Sequence, residues 1–529
     1  MLLGAVVGCR RHDAARTERP LELVVSSEAE TLDPRHAVDS VSHRITRLLH
    51  AGLTRLDPDT LQPVPNVARA FEWQSDGSLR VELRSGLRFH SGASLGSRDV
   101  VATLRAWMDP EVRVRSARVV EPILAVDQDG DLALVIRLKR PHATLLSDLE
   151  IPILRADEAR SPPRPDGRLD GLGPYRVDGV EPGEVRLVPA TGGVGPALHA
   201  LTIRTVRDEN ARALRLIAGR ADAAVNVFSP TLLPALAREA KLAVTRRPGA
   251  NLTYLLLRVD RPPFDRIEAR RAVSLAIDRR AITEGLLAGA AQPASGVLPP
   301  ALATVSRATI ARDLETARND VRSLGGLRLS LLTTPDRVRL SIARTIAQEI
   351  GEAGATVDIA SLDLGTLLAR LTAGDFDAAI LNLPELTEPN VLRLFIHSSA
   401  VPPAGVNRGH VRDEVVDRLL DDGSTTRDPL ARRAAYAALE ERLLATHLFV
   451  PLWHENQVAV TSERARGFTP SAEGRWLALS TQWAPPRQRD RVNCRSRTRR
   501  AGSCVSRRRS RWIRAAWCRR SPRSRAGSG

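Results

Sequence analysis

The chain has 529 residues, more than one ordinary hydrophobic core accommodates, so two or three domains are expected. Its formal charge of +17 is concentrated at one end: residues 487–529 hold 16 of the 78 basic residues and one of the 61 acidic ones. The rest is close to neutral, so net charge carries no inference of a nucleic-acid partner, and the absence of cysteine between Cys9 and Cys494 excludes disulfides and thiolate sites there.

Leu2 to Gly8 is a short apolar run ending in Val6-Val7-Gly8-Cys9. It resembles a bacterial lipobox, in which the cysteine after a small residue is lipidated. Cys9 is therefore the expected lipidation site, with residues 1–8 a signal peptide and 9–20 a polar tether to the membrane. The run is much shorter than the ~20 apolar residues that span a bilayer. It also lacks a basic n-region, as a start codon placed too far downstream would leave it.

Leu21 to Ser26 alternates and predicts a strand, followed by a helix over Ser40 to His50 with Val41, Ile45, Leu48 and Leu49 on one face. Leu79 to Arg84 predicts a half-buried strand, Gly86 a turn, and the segment to Phe89 a second short strand. A helix is expected over Ser97 to Met108 and a strand over Leu132 to Leu138. The Pro and Gly residues of Ser161 to Pro174 mark a domain crossing. Then come a strand (Leu252 to Leu257), a helix (Glu268 to Ile277) and a long helix with Val338, Ile342, Ile346 and Ile350 every fourth residue. Strand Val357 to Ala360, helix Leu364 to Leu371, strand Phe376 to Leu381 and helices near Val415 to Leu420 and Arg432 to Leu444 complete an α/β series. Residues 487–529 have no apolar periodicity and read as a disordered appendage or a frame-shifted stretch.

Two isolated patterns invite catalytic or metal readings. Gly92-Ala93-Ser94-Leu95-Gly96 has the G-x-S-x-G form of a hydrolase elbow, but Ser97 is the better helix start, which leaves Ser94 in a loop. His36, His43 and His50 recur every seven residues, and on one helix they would stand ~10.5 Å apart along the axis, too far to share one ion. No P-loop, HExxH or dinucleotide fingerprint occurs. Neither a cofactor nor a metal is expected.

A set of motifs in order then resembles one family. Thr31-Leu32-Asp33-Pro34 follows the first strand. Gln62 to Phe71 reads QPVPNVARAF, and Asp76-Gly77 precedes Leu83 to Gly92, LRSGLRFHSG, with Asp99-Val100 beyond. Gly171 to Val177 reads GLGPYRV, and Arg258 to Asp278 contains PPF and ends in AID. Asn407, Val416-Asp417 and Arg433 to Tyr436 match later landmarks. Together these resemble solute-binding protein family 5, the extracellular oligopeptide, dipeptide and nickel binders of ABC importers.

The resemblance implies an α/β, two-lobed periplasmic-binding-protein type II fold with an extra subdomain inserted in the first lobe. Lobe I would take residues 21–55, 167–250 and 466–486, the insert 56–166 and lobe II 251–465, with the solute in the cleft and hinge closure over it. It further implies a monomeric, non-enzymatic protein, lipid-anchored in the periplasm or at the cell surface, that hands a peptide or similar small solute to a permease. Peptide binders of this family capture the terminal amine with an acid in a W-x-x-D stretch. Asn382-Leu383-Pro384-Glu385 corresponds here, placing Glu385 at the acid and Asn382 at the tryptophan. Glu28, Asn407 and Trp453 are further candidate ligand contacts, although Trp453 and His454 together read equally as an exposed loop pair. The alternatives are a secreted serine hydrolase using Ser94 and a binding protein recruited as a sensory receptor.

Overall fold

The computed structural model describes residues 19–164 and 166–481; Cys9, the tether and the Arg-rich tail lie outside the described residues. A single extended sheet organises the chain. Strand β1 (Leu21–Val25) pairs in parallel with Leu201–Thr205, and parallel neighbours require a crossover between them. That crossover carries helix α1 (Ser40–Leu49) and then a separate four-stranded antiparallel sheet, ordered Ala68–Ser75, Ser78–Leu83, Ala133–Leu138, Ile123–Gln128. Helix α2 (Ser97–Met108) packs against this small sheet and buries Val100, Val101, Leu104 and Trp107.

The remaining strands extend the main sheet in both directions. β2 (Ala223–Val225) is the other parallel neighbour of β1. β3 (Leu252–Leu257) follows, then helix α3 (Arg337–Glu352), β4 (Ala378–Leu383) and β5 (Val450–Ser462). β5 changes partners along its 13 residues. Val450 to Trp453 pairs with β3, whereas Asn456 to Ser462 pairs with Leu242–Pro248 and Ala459 to Thr461 with β2. Glu455 and its neighbours therefore stand where two halves of the sheet meet. Three large apolar cores surround this frame: one within Leu252 to Trp453, one within Ala51 to Leu172, and one joining β1 and α1 to Trp476.

The motifs at Thr31 and Gly171 hold these parts together. Asp33 and Arg35 are both buried and form an ion pair at 2.6 Å, and Arg35 also donates to the carbonyls of Glu158, Ala159 and Ser161. A buried charge pair is tolerable when such hydrogen bonds saturate it. Gly171 and Gly173 press against the end of α1, where an added Cβ would come within 2.0 Å of the Leu49 oxygen and 2.3 Å of the Leu48 oxygen. No other residue fits that approach.

Two expectations change. The segment leading to Phe89 forms no strand, only an isolated bridge between Arg88 and Ser94. Phe89 instead closes a tight loop, donating to the Ala93 oxygen and accepting from Gly92 N, which uses the backbone groups a ladder would need. β1 forms where expected and is buried on both faces, with its Glu22 neutralised by Arg204 and Arg215. Trp453 and His454 lie buried in β5 rather than in an exposed loop, because this strand runs through the middle of the sheet.

Candidate functional site

A cavity of about 380 Å³ opens where the two halves of the main sheet meet. Its floor is β5. Side chains alternate across a strand, so Trp453 and Glu455 share one face and line the cavity, whereas His454 hydrogen-bonds the Asn251 carbonyl at 2.6 Å. The Asn251 side chain donates to the Glu455 carbonyl at 2.9 Å and accepts from its N–H at 2.7 Å, fixing that residue's backbone. Thr253 of β3 donates to the Glu455 carboxylate at 3.2 Å, and Asn382 of β4 donates to the Thr253 hydroxyl at 2.9 Å and to Glu455 at 3.5 Å.

The acid at this floor is unusual in having neutral partners. It faces the cavity and meets solvent there, yet the surrounding protein desolvates it enough to raise its carboxyl above the usual range, against the opposing field of Arg339 and the Thr253 hydrogen bond. Among the described residues no ion pair reaches Glu455. The Trp453 indole N–H beside it is buried without a partner among the described residues.

Another wall comes from α1. Asp39 caps this helix by accepting from Val41 N and Ser42 N, and Val41, Ile45 and Leu48 face the core. Arg44 projects from the other side into the cavity, half-buried, with its guanidinium 5.5 Å over the Trp476 ring. Asn226, held at φ 55°, closes that wall by accepting from Val458 N at 2.8 Å and donating to Gln457. Apolar surface is supplied by Phe228, Leu287, Val338 and Ile380.

The candidates drawn from sequence separate. Asn382 and Trp453 line the cavity. Glu385 lies exposed on the loop after β4, beyond Pro384, where its field reaches His43, Arg44 and Arg475. Glu28 is exposed and ion-paired with Arg207 at 3.3 Å. Asn407 is fully buried, and its amide is saturated by the His397 and Val411 carbonyls and the Val411 N–H. Glu28, Glu385 and Asn407 are not among the cavity-lining residues. Ser94 is exposed in a loop and accepts from Arg88 at 3.1 Å, two residues before the Gly96 cap of α2, not at the strand–helix junction that an elbow requires. His36 precedes α1, while His50 caps its end and is buried with its pKa lowered to about 4 by desolvation. No cluster of three metal-ligating side chains occurs among the described residues.

Residues 62–391, more than half of the chain, match the family of bacterial extracellular solute-binding proteins, family 5. The chain belongs to that family. Its members are non-enzymatic solute-binding proteins, and this one is a solute-binding protein of the ABC-importer class, acting outside the cytoplasm. Protein XP55 of Streptomyces lividans is 28% identical over 85% of this chain and 86% of its own length. A probable di/tripeptide-binding protein 5 of Pseudomonas aeruginosa is 25% identical over 78% of this chain and 85% of its own. The periplasmic binding protein DppA from Helicobacter pylori, solved with the peptide STSA, shares the fold at a TM-score of 0.72 and 20% identity, over 88% of this chain and 98% of that one.

Arg44, Thr253 and Glu455 were not singled out from sequence. A signal for Glu455 was present: Val450 to Ser462 is an apolar run interrupted by Glu455-Asn456, and a charge inside a central strand is expensive unless it serves a purpose. No local signal separates Arg44 from the other arginines of its helix.

Proposed function

We propose that this protein captures short peptides of about two or three residues in the cavity above β5 and delivers them to an ABC permease. The observation that carries the reading is Glu455: a carboxylate at the cavity floor, held by neutral donors and ion-paired with no cation among the described residues. The terminal ammonium of a peptide supplies that cation. Asn382 and Trp453 offer polar and aromatic contact beside it, and Glu385 adds an acid beyond Pro384. The cavity volume of about 380 Å³ stands near the lower end of the ~300–1,000 Å³ range of small-molecule pockets, which favours short peptides over long ones. The size class in the name of the Pseudomonas relative agrees.

Cys9 is proposed as the lipid anchor. The lobes are proposed as residues 21–55, 167–250 and 466–486 against 251–465, with 56–166 inserted.

Titration calorimetry with di-, tri- and octa-alanine tests the size and class together. The expected result is saturable binding of the two short peptides and little or none of the octamer. Equal binding of all three, or of none, contradicts the reading.

A further inference from the structure

The first-lobe wall of the cavity carries a charge that the peptide-amine reading does not use. Arg44 stands half-buried on α1 and lines the cavity. Its guanidinium makes no hydrogen bond or ion pair with a described residue; its neighbours are the Trp476 ring, 5.5 Å away, and the more distant field of Glu385. Desolvation lowers its pKa, with Glu385 opposing, so burial is costly to the charged form. The nearby arginines are differently placed: Arg47 and Arg475 both pair with Glu150, at 3.1 and 2.7 Å. Arg44 alone of these three projects into the cavity without a carboxylate.

A guanidinium presents a planar fork of donors that matches a carboxylate in a bidentate geometry. The Trp476 ring, with the guanidinium 5.5 Å from its centroid, gives Arg44 a cation–π neighbour and takes up none of its N–H donors. Arg339 also lines the cavity on the opposite wall, where its field opposes the raised pKa of Glu455; it is exposed, whereas Arg44 is half-buried beside Trp476. We propose that Arg44 is the receptor for an anionic group of the solute, a carboxylate in a peptide, and that the cavity selects solutes carrying opposite charges at two ends. The inference rests on the peptide reading above and adds to it that the free C-terminus is recognised from the first lobe. A contact from α1 to a solute anchored on β5 also ties ligand capture to closure, because it forms only when both walls face the same molecule.

The test is a cycle of two proteins and two ligands: the full-length protein and Arg44→Gln, each titrated with tri-alanine and with tri-alanine amide. Loss of a charged, partly buried hydrogen-bonded pair corresponds to roughly a tenfold or larger change in Kd. The wild-type protein is expected to favour the free acid by about that factor, and Arg44→Gln to bind both forms equally weakly. Arg44→Lys keeps the charge without the fork and is expected to fall between them, with thermal melts of both variants establishing that they are folded. Equal wild-type affinity for acid and amide, or an acid preference that survives Arg44→Gln, overturns the role of Arg44 while leaving the peptide reading in place. Failure of the wild type to bind either form overturns the peptide reading and this inference with it.

Discussion

Glu455 and Asn382 illustrate how differently two site residues register in a sequence. Asn382 was legible because it occupies a motif position, even though its residue type departs from the motif. Glu455 was hidden because its strand was not recognised, and a glutamate beside an asparagine is the ordinary composition of a loop. Asn407 and Glu28 show the converse: their positions stood out, but one amide is consumed by its own backbone surroundings and one carboxylate by Arg207. Glu455→Gln removes the charged partner of the ligand ammonium and is expected to cost ~1.5–3 kcal/mol of binding, or roughly ten- to a hundredfold in Kd by calorimetry. Binding to the wild type should also weaken on acidification, because a protonated carboxyl cannot pair with an ammonium. That loss should begin at a higher pH than for an ordinary glutamate at about 4.3, since desolvation raises this carboxyl, and Glu455→Gln should abolish the dependence. The stability effect has the opposite sign. A raised native pKa means that stability is lost as pH rises through it, so the variant should melt higher than the wild type at neutral pH.

Among the elements, several segments were readable almost residue for residue. α2 spans Ser97–Met108 and β3 spans Leu252–Leu257 as their patterns suggested. Two strands of the main sheet, β2 and β5, were missed. β5 has no alternation because both its faces are covered, and Ala223–Val225 is too short to carry a period. Helix α1 was legible as a helix, but its role as a cavity wall depends on where the sheet places it. Its N-terminus rests on Asp39, whose carboxylate satisfies two of the orphan amides. Asp39→Ala is expected to cost ~1 kcal/mol of unfolding free energy in denaturant titrations. Because α1 positions Arg44, the same variant should weaken tri-alanine more than tri-alanine amide; an equal effect on both would place the loss in general stability.

For the whole molecule, contacts join residues 56–166 to the segment between β4 and β5. Ala143 N donates to the Ser424 oxygen at 2.8 Å, and Arg427 pairs with Asp76 while its guanidinium lies 4.2 Å from the Trp73 ring. Asp76 is largely exposed, and exposed pairs contribute ~0–1 kcal/mol, so these contacts add little to stability. On the proposed lobe assignment, a solute bridged between β5 and α1 would supply most of the free energy of closure. The family and the two-lobed architecture were recoverable from ordered motifs, since many weak local matches in sequence reinforce one another. The charge pattern of the cavity was not, because it is assembled from segments as far apart as Arg44 and Glu455. The most direct measurement of the central claim is native mass spectrometry of the protein purified without denaturant. Bound masses equal to di- and tripeptides, removed by Glu455→Gln, are the expected result. A bare protein that also ignores added peptides, or a single bound mass that is not a peptide, would contradict it.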